Sequence, residues 1–96
     1  MVHLTIIAHI IAKPDCINMV QSESIKLIEP SLKDAGCIRY EMHQDNENPA
    51  YFMFNEIWES HDLWEAHMQT PHLKHYIDVT ADATESLVIN KMMQIT

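Results

Sequence analysis

The sequence is poor in glycine and in positive charge, and each shortage excludes a class of protein. Gly36 is the only glycine among 96 residues, so the chain contains neither a glycine-rich phosphate loop nor a dinucleotide-binding fingerprint. Six basic residues stand against 14 acidic ones, and the formal net charge of −8 repels nucleic acid and anionic membrane surfaces. An oxidative enzyme built from this chain would therefore have to work without flavin or nicotinamide.

Cysteines and long apolar runs are also scarce, which bears on location. Cys16 and Cys37 are the only cysteines; their number suits free thiols in a reducing cytosol, and their spacing leaves a disulfide between them open. No run of 18 apolar residues occurs, and the N-terminus lacks the basic region and the cleavage site of a secretory signal. We expect a cytoplasmic protein that binds neither membrane nor nucleic acid.

The hydrophobic content of 47% predicts one folded domain over residues 1–96. Hydrophobic periodicity predicts strands over 2–12, 37–45, 51–59 and 86–95, and helices over 15–35, 61–69 and 71–84. Pro30 predicts a kink or break near Glu29, and Gly36 is the expected left-handed residue at the end of the first helix. The order β-α-β-β-α-β, with its second helix split, is the ferredoxin-like pattern of an α+β fold.

The first predicted strand is apolar on both of its alternating faces. Helices can cover only one face of the sheet, so the other face needs a different cover. A second copy of the chain is the simplest cover for a domain of this size. We therefore expect a homodimer.

Glu56 is the sharpest candidate for a functional residue, because it is an acid in the middle of a strand. It shares a strand face with Phe54 and Trp58, and a buried carboxylate needs a partner or a raised pKa. Such carboxylates cluster at functional sites, whereas a salt bridge with Arg39 or Lys91 is the structural alternative. Trp58 offers a flat wall for an aromatic substrate, although a strand tryptophan is more often part of the core.

Two histidines, His67 and His72, lie on the two helices that follow this strand. Each is ordinarily a partly buried structural residue, and His72 could also cap its helix, but their joint position beside Glu56 indicates a site. The seven histidines include no His-Glu-x-x-His spacing and no evident paired ligand set. We predict no metal site.

Three segments resemble one family. Residues 36–45 resemble a Gly-Cys-x-x-Tyr-x-x-x-x-Asp strand, residues 56–60 resemble a Glu-x-Trp-Glu-Ser strand end, and residues 65–67 with 70–72 resemble a helical pair, Glu-Ala-His followed by Thr-Pro-His. The chain resembles the antibiotic biosynthesis monooxygenases over essentially its whole length, and the quinol monooxygenases most closely.

The resemblance implies ferredoxin-like protomers that dimerise through their sheets into an α+β barrel. It implies a pocket between the sheet and the helices of each protomer, with Glu56, Trp58, His67 and His72 on its wall. Tyr40 is a further substrate-binding candidate. Phe54 is another, at a position where the polyketide-type members carry a polar residue.

The resulting hypothesis is a cofactor-free monooxygenase that oxidises a quinol or related phenol with O₂. In it, His67 or His72 is the base, Glu56 orients that base or binds the substrate hydroxyl, and Trp58 is the stacking wall. One alternative is an isomerase of a phosphorylated quorum-sensing sugar, for which Lys74 and Arg39 are a thin supply of cations. The other is a non-enzymatic module that binds haem or a small aromatic molecule.

Overall fold

The structure, a computed structural model, describes residues 3–96 and confirms the predicted α+β fold. Met1 and Val2 lie outside these residues, and Val2 is where the first strand was predicted to begin. The elements, in chain order, are β1 (Leu4–Ala12), α1 (Ile17–Leu32), β2 (Cys37–Gln44), β3 (Tyr51–Trp58), α2 (His61–Met68), α3 (Pro71–Thr80), a short 3₁₀ turn (Ala81–Ala83) and β4 (Thr84–Met92). The sheet order is β2-β3-β1-β4, and each neighbouring pair is antiparallel. This is the ferredoxin-like arrangement.

The end of α1 differs from the prediction. The helix continues through Pro30 and ends at Leu32, so of the predicted kink or break near Glu29 the break is wrong. Pro30 lies in the last turn, where its missing N–H removes one hydrogen bond just before the helix stops. Gly36 does have the left-handed conformation, with φ 80°, but in the turn before β2, beyond Lys33, which caps α1. A Cβ there would also collide with the Leu63 side chain of α2.

The second helical segment is split into α2 and α3, and an N-terminal cap fixes where each of these helices begins. Ser60 accepts a hydrogen bond from the Leu63 N–H at the start of α2. Thr70 accepts one from the Leu73 N–H at the start of α3, and Pro71 occupies its first turn. Both arrangements satisfy backbone donors that a helix start leaves unpaired. They confirm the predicted split and fix where His67 and His72 lie.

The helices cover one face of the sheet, and the core lies beneath them. The covered face is formed by alternate strand residues, which are buried: Ile6, Ala8, Ile10, Tyr40, Phe52, Phe54, Glu56 and Trp58. The intervening residues, such as Ile7, Met53 and Ile57, are only half-buried in the single chain. Strand alternation therefore directs Glu56 inward, towards the helices.

None of the helices formed by the described residues combines the length and the apolar composition needed to span a bilayer.

Candidate functional site

A small cavity of about 60 Å³ lies between the sheet and the helices. Four of the predicted site residues line it, namely Tyr40, Phe54, Glu56 and His67. The rest of its wall is almost entirely apolar or aromatic: Ile6, Ala8, Ile10, Leu27, Trp64, Met68, Leu73, Tyr76, Ile77, Leu87 and Ile89. The cavity thus surrounds one acid and one imidazole with apolar side chains.

Glu56 is buried, with 4% of its surface exposed. Its Oε1 accepts a hydrogen bond of 2.9 Å from the Trp58 indole N–H. Burial raises the pKa of Glu56 to about 7, and the Trp58 hydrogen bond opposes part of that rise. Both protonation states of this carboxyl are therefore accessible near neutral pH, as acid–base chemistry requires.

The salt-bridge alternative for Glu56 is not what the structure contains. Arg39 lies 3.8 Å from Glu41 on the exposed surface, and the Lys91 ammonium lies 5.0 Å from the centre of the Trp64 ring. Neither cation neutralises the buried carboxyl, which is consistent with its raised pKa.

His67 and His72 share one partner, Asp34. Its Oδ2 lies 2.7 Å from His67 Nδ1 and 2.8 Å from His72 Nε2. The three side chains run from interior to surface, with exposed fractions of 1%, 17% and 24% for His67, Asp34 and His72. The sequence predicts Glu56 either as the residue that orients the base or as a partner of the substrate hydroxyl. Asp34, and not Glu56, contacts His67 Nδ1, while Glu56 accepts a hydrogen bond from Trp58.

Asp34 fixes the tautomer of His67. An ionised carboxylate only accepts hydrogen bonds, so the neutral imidazole carries its proton on Nδ1 and its lone pair on Nε2. Burial lowers the pKa of His67; the Asp34 carboxylate works against that change, and His72 adds to it. A neutral, oriented imidazole on the cavity wall has the properties of a general base.

His72 and Trp58 occupy other positions than the resemblance implied. Neither is among the residues around the cavity. Trp58 is fully buried, and its ring packs on His67 with centroids 4.6 Å apart. Trp58 therefore does not form the expected stacking wall of the cavity, because the end of β3 lies beneath α2. It holds Glu56 and His67 in place instead. Trp64, which was not predicted, lines the cavity instead.

Asp34, His67 and His72 also form a candidate ligand set for a metal. Their donor atoms all lie within 4.8 Å of one another, and two histidines with one carboxylate is a known set for iron and zinc. The imidazole nitrogens lie 2.7 and 2.8 Å from the same carboxylate oxygen, which is hydrogen-bond distance. Neighbouring ligands at about 2.0–2.2 Å from an ion stand about 3.3–3.6 Å apart in tetrahedral geometry and about 2.8–3.1 Å apart in octahedral geometry, so these distances suit hydrogen bonds and lie at the short limit for metal ligands.

Comparisons with known proteins support the fold. Residues 3–79 match the model of the family described as antibiotic biosynthesis monooxygenase. PA3566 from Pseudomonas aeruginosa, a solved structure, is 27% identical and superposes with a TM-score of 0.96 over 100% of this chain and 97% of its own. A solved structure named antibiotic biosynthesis monooxygenase, 22% identical, superposes with a TM-score of 0.91 over 97% and 99% of the two chains.

A curated sequence is also similar. The uncharacterized protein sll1783 of Synechocystis is 29% identical over 79 residues, which are 82% of this chain and 54% of that protein. The chain thus spans about half the length of the curated relative it matches. The family match covers most of the chain, so this protein belongs to the antibiotic biosynthesis monooxygenase family.

Proposed function

We propose that this protein is a cofactor-independent monooxygenase that oxidises a quinol or related phenol with O₂. The observation that carries the proposal is the shared cavity of His67 and Glu56. One group is a neutral imidazole oriented by Asp34, and the other is a carboxyl with a pKa of about 7. Two titratable groups held in a largely apolar site are what proton transfer to and from a phenol needs.

The reaction begins when His67 Nε2 takes the proton of a substrate hydroxyl. The electron-rich phenolate passes one electron to O₂, and the resulting radical and superoxide combine to form a carbon–oxygen bond. The peroxide then breaks at its O–O bond. One oxygen atom stays on the ring and the other leaves as water with two protons from the substrate, so that a quinol and O₂ become a hydroxyquinone and water. His67 holds one of these protons in transit.

The other residues bind and position. Glu56 is a hydrogen-bond partner for the substrate hydroxyl, because Asp34 is the residue that orients His67. Tyr40 and Phe54 provide aromatic walls, with ring centroids 5.4 Å apart, and they exclude water from the phenolate. Trp58 acts indirectly, through its hydrogen bond to Glu56 and its packing on His67.

The lining of the cavity disfavours the isomerase alternative. A phosphorylated sugar needs cationic side chains, yet the residues around the cavity include no lysine or arginine in the described part of the chain. Lys74 and Arg39, the candidate cations, are both exposed. The cavity of about 60 Å³ is smaller than the roughly 300 Å³ at which ligand pockets begin, so a quinol and a haem would both have to extend beyond it, and size does not separate the two roles.

The test is a panel of reduced quinols assayed with and without O₂. The proposal expects enzyme-dependent consumption of quinol in air, none under argon, and an equal consumption of O₂ and substrate. His67→Gln should lower the rate by about 10²–10⁴-fold. Rates that match spontaneous oxidation for every quinol, or an unchanged rate in His67→Gln, would contradict it.

A further inference from the structure

A second concavity adjoins the site. It is a groove of about 270 Å³ between α3 and β4. Its wall shares Ile10, Tyr76, Ile77 and Leu87 with the inner cavity. The remaining lining residues come from the end of α3, the 3₁₀ turn and the start of β4: Thr80, Ala81, Thr84, Glu85 and Ser86. The two spaces are therefore neighbours that share part of their wall.

The inner cavity is too small to hold an aromatic substrate by itself. A space of about 60 Å³ holds about two water molecules, and a cavity that binds benzene measures about 150 Å³. The inner cavity and the groove together fall at the lower end of the size range of small-molecule sites. A ring whose hydroxyl edge reaches Glu56 and His67 must extend towards the groove.

The junction between the two spaces is apolar. Ile77 and Leu87 flank it, and 44% and 52% of their surfaces are exposed in the single chain. Large exposed apolar side chains beside a binding site favour contact with an apolar partner. Tyr76 lies behind them with its hydroxyl bonded to Ser24 at 2.8 Å, so it presents a fixed ring rather than a free polar group.

The chemistry of the groove also limits what can lie in it. Its lining residues include one carboxylate, Glu85, and no lysine or arginine within the described part of the chain. The whole chain carries a net charge of −8, which further disfavours an anionic group there.

We infer that the substrate is a phenol or quinol with an alkyl-type substituent, which lies in the groove between α3 and β4 against Ile77 and Leu87 while the hydroxyl edge enters the inner cavity. The inference rests on the proposed function and names the class of substrate for that site. The length of the substituent then sets affinity, and the hydroxyl edge sets reactivity.

Binding can be measured apart from turnover. A series of 4-alkylphenols from methyl to hexyl is titrated into the whole protein by calorimetry under argon, where no oxidation occurs. Each added methylene that is buried should lower Kd about fourfold until the groove is filled. Ile77→Ser and Leu87→Ser should each reduce that gain per methylene. Both side chains are partly exposed, so the variants should fold, and their melting temperatures check this.

Ile25→Ser is the matched control, because Ile25 is a helix isoleucine with 58% of its surface exposed and lies outside both spaces. It should retain the full gain per methylene. A Kd that is independent of chain length, no binding of any alkylphenol, or equal gains in Ile77→Ser and Ile25→Ser would overturn the inference.

These outcomes separate the inference from the proposed function. Quinols that are oxidised without any dependence of Kd on chain length would leave the function standing and overturn the inference. Alkylphenols that bind with the expected increments, in a protein that oxidises no quinol, would support the inferred ligand class and refute the monooxygenase.

Discussion

Replacement of Asp34 by asparagine should damage catalysis more than any other change of a residue outside the cavity. Asp34 accepts hydrogen bonds from His67 Nδ1 and His72 Nε2 at 2.7 and 2.8 Å, and its charge opposes the fall in the pKa of His67 that burial causes. An asparagine of the same shape can turn its N–H₂ towards Nδ1. That would move the imidazole proton to Nε2, which would then lack the lone pair that a base needs.

The expected loss in kcat is about 10²–10⁴-fold, which is the usual worth of a general base. A histidine in the wrong tautomer loses about the same in other enzymes. The unfolding free energy should fall by only about 1–3 kcal/mol, the cost of weakening a partly buried hydrogen-bond acceptor. Steady-state rates on a quinol and thermal melts of the same samples measure both quantities.

The matched control is His72→Gln, which removes the second imidazole and keeps the Asp34–His67 pair. Because His72 does not line the cavity, we expect its replacement to lower kcat by less than about tenfold, well below the loss of the general base. Near-native turnover in Asp34→Asn, or equal losses in the two variants, would refute the reasoning that Asp34 orients the base.

Three further predictions concern the rest of the molecule. The half-exposed apolar face of the sheet should pack against a second copy of the chain, so sedimentation at micromolar concentration should show a dimer. Val88 lies on that face and is 51% exposed, so Val88→Lys should shift the equilibrium towards monomer. A wild-type monomer would contradict this prediction. Activity should survive a chelator, since the donor spacing at Asp34 fits hydrogen bonds; activity that is lost and then restored by one metal ion would overturn it. The pKa of Glu56 rises on folding from 4.5 to about 7, so the carboxyl stays protonated up to a higher pH in the folded state than in the unfolded state. The free energy of unfolding should therefore fall by about 3 kcal/mol as the pH rises from 4.5 to about 7. Denaturant titrations of Glu56→Gln should lack this dependence of stability on pH. An identical dependence in the variant would assign it to another group.

Local patterns in the sequence were sufficient to predict most of the fold. Alternation along residues 52–58 placed Phe54, Glu56 and Trp58 on one buried face, because successive strand side chains point to opposite sides of the sheet. Thr70 and Pro71 marked the start of a helix through a capping geometry that depends on neighbouring residues alone. Pro30 was misread because the pattern does not show that the helix stops two residues later.

The partners within the site could not be predicted, because they depend on tertiary packing. Asp34 lies 33 residues from His67 in the chain, in a turn that carries no motif of its own. Only the packing of the end of α1 beside α2 and α3 brings it to both imidazoles. Trp58 is likewise on the predicted strand face, but its burial under His67 follows from where α2 lies. Sequence spacing therefore selected His67 and Glu56, which line one cavity, without identifying Asp34 as the hydrogen-bond partner of His67.

The fate of the two oxygen atoms tests the central claim most directly. Metal-free protein is mixed with a reduced quinol under ¹⁸O₂, and the product is analysed by mass spectrometry. A cofactor-independent monooxygenase predicts a hydroxyquinone that carries one labelled oxygen atom, with a rate that falls by about 10²–10⁴-fold in His67→Gln. A quinone that contains no labelled oxygen, or a labelled product formed at the same rate by His67→Gln, would contradict the account.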